Sequence, residues 1–405
     1  LSVPPAHETQ MKIVAILENS PFVGGGFNQA LNAIRQMQLL CADRFDFQVL
    51  TTRPENSAIL AKLGIPSKQF AYSVLDSLLA VLSLNVWWHS LQARLKLIGP
   101  FEKHLIRLGC DLVYFASPTE KSASLQTLNF ITTVWDNCHR DMPEFPEVRS
   151  FGRFQSRERF FRTQLSPSLL TLTDSETLAV LLAHRYGINR ERLLPMPFSP
   201  AATLSLSDAP STENVLKQYS LEPGYFFYPA QFWAHKNHIR ILEALVKLNA
   251  DSYRFTVVFS GSNQGNRAHV ERFVQRNNLE HQVRFLDFVP AADMPGLYQG
   301  CRAVVMPTYF GPTNLPPLEA WTFDKPLVYS HLFADQVRDA AILIDPDDAH
   351  ELASAMKECT DTRICAELIA NGQRRLEEIQ SDRQESEKYL LAQLVQFEKR
   401  LRCWN

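Results

Sequence analysis

The chain lacks an excess of charge of either sign, with 41 Lys and Arg against 43 Asp and Glu in 405 residues. No global field results that would hold a polyanion, so a nucleic-acid binder is disfavoured. It also lacks any CxxC pair. The seven cysteines (Cys41, Cys110, Cys138, Cys301, Cys359, Cys365 and Cys403) are odd in number and scattered. That usage argues against a zinc site or a disulfide framework and for reduced thiols in a cytoplasmic protein. The longest charge-free apolar stretch, SLLAVLSLNVWWHSLQA between Asp76 and Arg94, is broken by Ser, Asn, His and Gln and falls short of a spanning helix. Its preferred reading is a helix packed on its own domain. The alternative puts Trp87 and Trp88, with Arg94 and Lys96 after them, flat against a lipid interface as a peripheral membrane contact. The opening LSVPPAHETQ has neither a basic n-region nor an apolar h-region, so no signal peptide is expected and residues 1–10 read as a tag or tail.

Two further absences bear on nucleotides. No GK[ST] follows a Gly-rich loop anywhere, which excludes a P-loop hydrolase. The turn ENSPFVGGGFNQAL carries Gly24, Gly25 and Gly26 after a strand and opens a helix near Phe27, where free N–H groups meet an anion. A dinucleotide fingerprint would need glycine where Gln29 stands, and the next strand ends in Thr51, Thr52 and Arg53 rather than a ribose-binding acid. An NAD enzyme is therefore disfavoured.

What is present describes a globular protein: 45% hydrophobic and 21% charged residues, with a length that implies two or three domains. Short β-rich runs alternate with helical patterns, the signature of parallel α/β layers. KIVAIL, FQVLTT, DLVYFA, ITTVW and LLTLTD lie in the first half; YFFYPA, FTVVFSG, VRFLDFV, AVVMPT and PLVYS in the second. Between the two sets AATLSLSDAPSTEN reads as a linker or surface loop. The expected fold is α/β, with two doubly wound Rossmann-like domains meeting near residues 197 to 222. Such sheets bind ligands at the carboxyl ends of their strands.

The second half carries the chemistry. FFYPAQFWAHKNHIRILEAL runs from a strand into a turn bearing Lys236 between two histidines, then into a helix. FSGSNQ, VRFLDFVPAADMPGLYQGCRAVVMPT and YFGPTNLPPLEAWTFDKPLVYS follow. In order and spacing, over roughly residues 220 to 360, these motifs resemble the nucleotide-sugar domain of retaining glycosyltransferases of family 4, the group 1 glycosyl transferases of GT-B type. FITTVWDNCHRDMPEFPEVR and DSETLAVLLAHRYGI resemble the family's acceptor domain more loosely. The resemblance implies an N-terminal acceptor-binding domain over 11–205, a nucleotide-sugar domain over 206–381 facing it across a cleft, and a final helix over 382–405 packing back on the first domain.

It also implies site residues. Lys236 supplies a cation where a diphosphate leaving group gains charge, in place of a metal ion, so neither metal nor cofactor is expected. HKNH offers no third metal ligand, and its histidines read as capping and packing. The family's arginine, five residues before the lysine, is here Gln231, and Arg140 is one substitute for the missing charge. The second of the family's two glutamates is Glu319, with a ribose role, but the first falls on Gly311. Gly25, Gly26, Phe288, Val289, Thr313, Asn314 and Leu315 complete the expected donor contacts. Phe288 reads equally as core. In WDNCHRDMPEF the family's histidine position holds Trp135, leaving Asp136 in place and His139 as its substitute for catalysis, with Arg140, Asp141 and Glu144 nearby.

The implied activity is retaining, metal-independent transfer of a hexose from a UDP- or GDP-sugar to an acceptor hydroxyl. UDP-glucose is the first expectation and GDP-mannose the alternative. The implied acceptor is a glycan or a lipid-linked oligosaccharide of bacterial surface polysaccharide. Readings from other classes are a sugar-nucleotide epimerase or phosphorylase, and a catalytically silent nucleotide-sugar-binding protein.

Overall fold

A computed structural model describes residues 10–205, 210–311 and 313–404. The tag question, the middle of the linker at 206–209 and Pro312 of the GPTNL loop lie outside them. The chain divides into two compact units. Of the described residues, unit 1 holds 10–134, 155–196 and 384–404; unit 2 holds 135–154, 197–205, 210–311 and 313–383.

Unit 1 is built on a seven-stranded parallel sheet of β1 (Lys12–Leu17), β2 (Asp46–Thr51), β3 (Ser67–Gln69), β4 (Leu112–Phe115), β5 (Asn129–Val134), β6 (Leu170–Thr173) and β7 (Leu193–Pro195). Their order in the sheet is β3-β2-β1-β4-β5-β6-β7. Strands such as β1 and β4 are buried along nearly their whole length, because helices cover both faces of a doubly wound sheet. The helix expected near Phe27 begins earlier, at Gly25, directly after a short 3-10 turn over Pro21–Val23. Gly24 sits between them at φ 75°, and its carbonyl accepts from the Phe27 and Asn28 N–H groups.

The apolar stretch after Asp76 is two helices, Val74–Ser83 and Val86–Arg94, rather than one. Leu79, Ala80 and Ser83 are buried, so the expected packing on its own domain holds for the inner side of the first helix. The chain ends in a single helix, Thr362–Leu401. From Gln384 onward it belongs to unit 1, where Leu390, Leu394 and Phe397 are buried, Glu387 accepts from Gln36 at 2.6 Å and Glu398 pairs with Arg44 at 3.1 Å.

Unit 2 repeats the winding with six parallel strands: β8 (Tyr225–Pro229), β9 (Val257–Ser260), β10 (Val283–Leu286), β11 (Cys301–Met306), β12 (Leu327–Ser330) and β13 (Ile342–Ile344). Their order is β10-β9-β8-β11-β12-β13. Phe226, Phe227 and Tyr228 of central β8 are fully buried, each worth roughly 1.5–3 kcal/mol in apolar burial. The earlier part of the final helix packs on this unit through Gly372. A Cβ there would lie 2.3 Å from a Trp321 ring carbon, so only glycine lets the helix come so close.

Residues 135–154 follow β5 in the chain and were expected with the first half. They pack in unit 2. Cys138, Val148 and Phe310 form a small apolar cluster there, flanked by Met142, Phe145, Phe154 and Tyr309. Phe145 meets Phe310 edge-on with ring centroids 5.0 Å apart, a contact worth about 0.5–1.5 kcal/mol beyond area burial.

Candidate active site

The strand order of unit 2 reverses between β8 and β11, which leaves a crevice at their carboxyl ends where a doubly wound sheet takes its ligand. The loop after β8 puts Lys236 there, at the end of a 3-10 turn over Ala234–Lys236, and the helix His238–Ala250 follows. The loop after β11 brings Thr308 to Asn314 to the other lip. One contact from β8 and three from this lip hold the turn. The Tyr228 hydroxyl donates to the Lys236 carbonyl at 2.8 Å, and the Tyr309 N–H to the His235 carbonyl at 2.9 Å. The Thr308 hydroxyl adds a longer bond to the same carbonyl, and Lys236 Nζ donates to Asn314 Oδ1 at 3.2 Å.

Asn314 is held in turn. Its side-chain amide donates to the Gly311 carbonyl at 3.0 Å and to the Tyr329 hydroxyl at 2.7 Å, while its backbone N–H donates to Gln336 Oε1 at 3.0 Å. Gly311 has φ 101°, and a Cβ on it would lie 2.8 Å from the Asn314 amide. The position thus requires glycine, which explains why no glutamate stands there. Its N–H donates to Cys138 Sγ at 3.5 Å.

The electrostatics follow from burial. Desolvation lowers the Lys236 ammonium to about 8, opposed by Cys138 and by the Asp136 and Glu147 carboxylates. Lys236 is therefore mostly charged at pH 7, with its donors facing little water. Glu147 accepts from the His235 backbone N–H at 2.9 Å and from its Nδ1. Burial works to raise the Glu147 carboxyl, but the bonds from His235 hold it below the ordinary carboxylate range. Burial brings His235 down to about 4. At neutral pH the pair is a neutral imidazole donating to an ionised carboxylate, and the imidazole stacks on Phe310 at 4.4 Å.

His238 is packed among Phe232, Tyr228 and Phe259, with its imidazole lowered to about 3 by burial. Among the described residues, no group of three or more His, Cys, Asp or Glu is arranged to hold a metal ion.

The remaining expected residues distribute unevenly. Asp136 accepts from the Cys138 N–H at 3.1 Å and acts on both Lys236 and His235 through its charge. His139 is 0% exposed and lies edge-on against Phe154 with centroids 5.4 Å apart, the setting of a packing side chain. Gln231 donates to Ser262 Oγ at 2.9 Å and accepts from the Trp233 indole at 3.1 Å, so its amide holds the loop. Arg140 is half-buried, whereas Asp141 and Glu144 are exposed.

Phe288 is 48% exposed and so is not core, while Val289 packs partly against the core of unit 2. Thr313 is half-buried and Leu315 buried as the first residue of the helix Leu315–Thr322. That helix start presents fewer N–H groups than expected, because Pro316 and Pro317 have none and the Asn314 N–H is already bonded. Gly25 and Gly26 belong to unit 1.

Glu319 is 5% exposed and its Oε2 accepts from the Tyr298 hydroxyl at 2.5 Å. Burial raises its carboxyl to about 7, with the Tyr298 bond opposing. The expectation that its charge serves ribose had not anticipated this partner. Reading the sequence also missed Glu147, Cys138, Tyr329 and Gln336. No periodicity or spacing marks them, since each meets its partner only through the folded chain.

The sequence and the fold now meet known proteins. Residues 213–375, which lie within unit 2, match the family model of glycosyl transferases group 1. The architecture is the GT-B fold of glycosyltransferases. The O-antigen chain mannosyltransferase B of Escherichia coli is 25% identical over 213 residues, covering 52% of this chain and 56% of that one. The O-antigen chain mannosyltransferase RfbU of Salmonella typhimurium is 24% identical over 188 residues, covering 46% and 49%. The chain thus spans about half the length of these curated relatives. Among solved structures, HepE of Anabaena in complex with UDP-glucose superposes with a TM-score of 0.71 at 17% identity, over 94% of this chain and 100% of the other. WaaG, a glycosyltransferase involved in lipopolysaccharide biosynthesis, does so with 0.61 at 14%, over 91% and 95%. These two likenesses concern the fold.

Proposed function

We propose that the protein is a retaining hexosyltransferase that moves a sugar from a nucleoside diphosphate donor to an acceptor hydroxyl in the synthesis of a bacterial surface polysaccharide. One observation carries the reading. Within the family-matched stretch, Lys236 stands at the crevice where the strand order of unit 2 reverses, half-buried, largely protonated at neutral pH and bonded to Asn314. A preorganised cation in a poorly hydrated site stabilises the charge that develops on a departing diphosphate. Front-face transfer follows, in which the leaving phosphate helps take the acceptor proton while the protein positions the reactants. No carboxylate is assigned as a nucleophile, and Asp136 serves as a counter-charge to Lys236. The chemistry runs without a metal ion, and full activity in excess EDTA is expected.

For the donor, the names of the curated relatives, both mannosyltransferases, favour mannose over the glucose first expected from the sequence, and the donor proposed is therefore the alternative, GDP-mannose. The acceptor proposed is a glycan, free or lipid-linked, met at the cytoplasmic side of a membrane. The test is a donor screen that follows release of GDP and UDP from their hexose conjugates, with and without acceptor lipid extract. Acceptor-dependent release of GDP from GDP-mannose supports the full reading. Release from UDP-glucose keeps the activity and replaces the donor. An epimerase or phosphorylase would consume donor without acceptor, and a silent binding protein would bind nucleotide and release nothing.

A further inference from the structure

We propose that the outer face of the helices Val74–Ser83 and Val86–Arg94 in unit 1 is a docking surface for an anionic lipid bilayer. Among the described residues, no helix is long and apolar enough to cross a membrane, so such a surface would lie on the bilayer rather than in it.

The first helix is firmly placed. Ser73 and Asp76 form a capping box, and the Asp76 carboxylate also accepts from the Phe101 N–H at 2.7 Å. Its inner face is therefore fixed, and its outer face is left apolar. Val74 is 88% exposed, and Leu75, Leu78 and Val81 continue the same stripe at helical spacing. The second helix is tied to the first by the Ser83 hydroxyl donating to Gln92 Oε1 at 2.9 Å. It exposes Trp87, at 84%, with Leu91 one turn on. A run of apolar side chains of this extent facing water marks a contact surface.

The charges decide what covers it. Between residues 67 and 107 every exposed charge of fixed sign is positive: Lys68, Arg94, Lys96, Lys103 and Arg107. The two acids of that stretch, Asp76 and Glu102, are buried, and Glu102 accepts from the Gln126, Thr127 and Leu128 N–H groups. Acids outnumber bases in the whole chain, so this segregation is local. A second copy docked face to face would bring the same cations together and be repelled. Apolar side chains with an exposed Trp, in a stretch whose exposed fixed charges are all Lys and Arg, match the boundary between acyl chains and anionic headgroups. The 3-10 turn Glu120–Ser124 beside the first helix adds Lys121, which donates to Ser77, and Glu120, whose carboxylate is taken up by the Ser156 hydroxyl.

The test uses the purified full chain, sedimented with vesicles of phosphatidylcholine alone or mixed with phosphatidylglycerol, at low and high salt. Binding to the mixed vesicles only, weakened by salt, is expected. The double variant Arg94→Glu/Lys96→Glu should lower the partition coefficient by at least about a hundredfold, each cation counting about fivefold and each reversal twice. Trp87→Ser should lower it about tenfold. These side chains are exposed, and melting curves confirm that the variants fold. Equal sedimentation with both vesicle types, or binding that neither variant moves, overturns the proposal. So does self-association that Leu78→Glu abolishes, seen by light scattering, in a chain that ignores vesicles. No donor enters the assay, so its outcome is independent of sugar transfer.

Discussion

The two units wind their sheets alike, yet a buried group of opposite type, an acid in one and a base in the other, stands where each strand order reverses. In unit 1 the crevice lies between β1 and β4, and the first residue after β1 is Glu18. In unit 2 it lies between β8 and β11 and receives Lys236. Burial pushes both toward neutrality, raising the carboxyl of Glu18 and lowering the ammonium of Lys236. Their company differs. Glu18 meets the hydroxyls of Thr119 and Tyr72 and the charges of Lys121 and Arg53. Lys236 meets the Asn314 amide and the carboxylates of Asp136 and Glu147. The winding determines where a ligand sits, and a few loop residues determine the sign of charge that it meets.

The hardest blow to this contrast is Lys236→Ala. Removing the cation should lower turnover by at least about a hundredfold, the scale of one lost charge-stabilising donor. Near-normal turnover in the folded variant would break the assignment. The wild type offers a second check through pH. With Lys236 near 8, donor affinity should hold through neutrality and fall as pH rises past that value. Nucleotide binding in the alanine variant should lose that alkaline limb.

How much of this was legible beforehand depends on the range of the interactions. Central strands such as YFFYP announce themselves because both faces are buried and the apolar run is unbroken. The edge strands β3, β7 and β13, of three residues each, are too short to carry a period, and no reading had assigned them as strands. Lys236 was legible because the motif that carries it, in a turn between strand and helix, resembles that of the group 1 glycosyl transferases. Glu147 was not, since its bonds to His235 span 88 residues of chain. The placement of 135–154 in unit 2 rests on similar distant contacts, Phe145 with Phe310 and Cys138 with Gly311. His139 was chosen for its residue type, and the structure finds it at 0% exposure.

Glu319 sharpens the contrast from within unit 2, because here the buried group is an acid with a neutral partner. Its folded value of about 7 lies above the 4.5 of the free side chain, so the native state holds the proton more tightly. That contribution is complete below about 4.5 and lost as pH rises through about 7, an order-of-magnitude change of ~3 kcal/mol. Glu319→Gln still accepts from Tyr298 but cannot ionise. Melting curves should show it more stable than wild type at pH 8, with a flatter profile between pH 5 and 8. If the carboxylate also serves ribose, calorimetry with UDP and GDP should show affinity falling by roughly 1.5–3 kcal/mol. Unchanged affinity would remove Glu319 from the donor site and leave it a core acid.

Glu147→Gln tests the clamp rather than the cation. The substitution keeps an acceptor for His235 but removes a charge from beside Lys236, and about 1–2 kcal/mol of donor affinity or turnover should be lost. Because the Glu147 charge raises the Lys236 value, its removal should move the alkaline limb below pH 8. A change in stability with no displacement of that limb would make Glu147 a packing residue only.

The smallest effect is expected at Glu18, the counterpart of Lys236 in unit 1. Its folded value is raised, so its ionisation destabilises the native state above the unfolded value. Glu18→Gln removes that cost and should stabilise the chain at neutral pH by about 1 kcal/mol or less, the ordinary scale for a substitution that creates no cavity. Nucleotide affinity should not change if Lys236 is the cation that meets the diphosphate, because Lys236 and its partners all lie in unit 2. Parallel titrations of UDP and GDP into the Glu18 and Glu147 variants make the comparison direct. An affinity loss at Glu18 as large as that at Glu147 would mean that the crevice of unit 1 acts on the donor itself, and the two buried groups would no longer correspond to a division of labour.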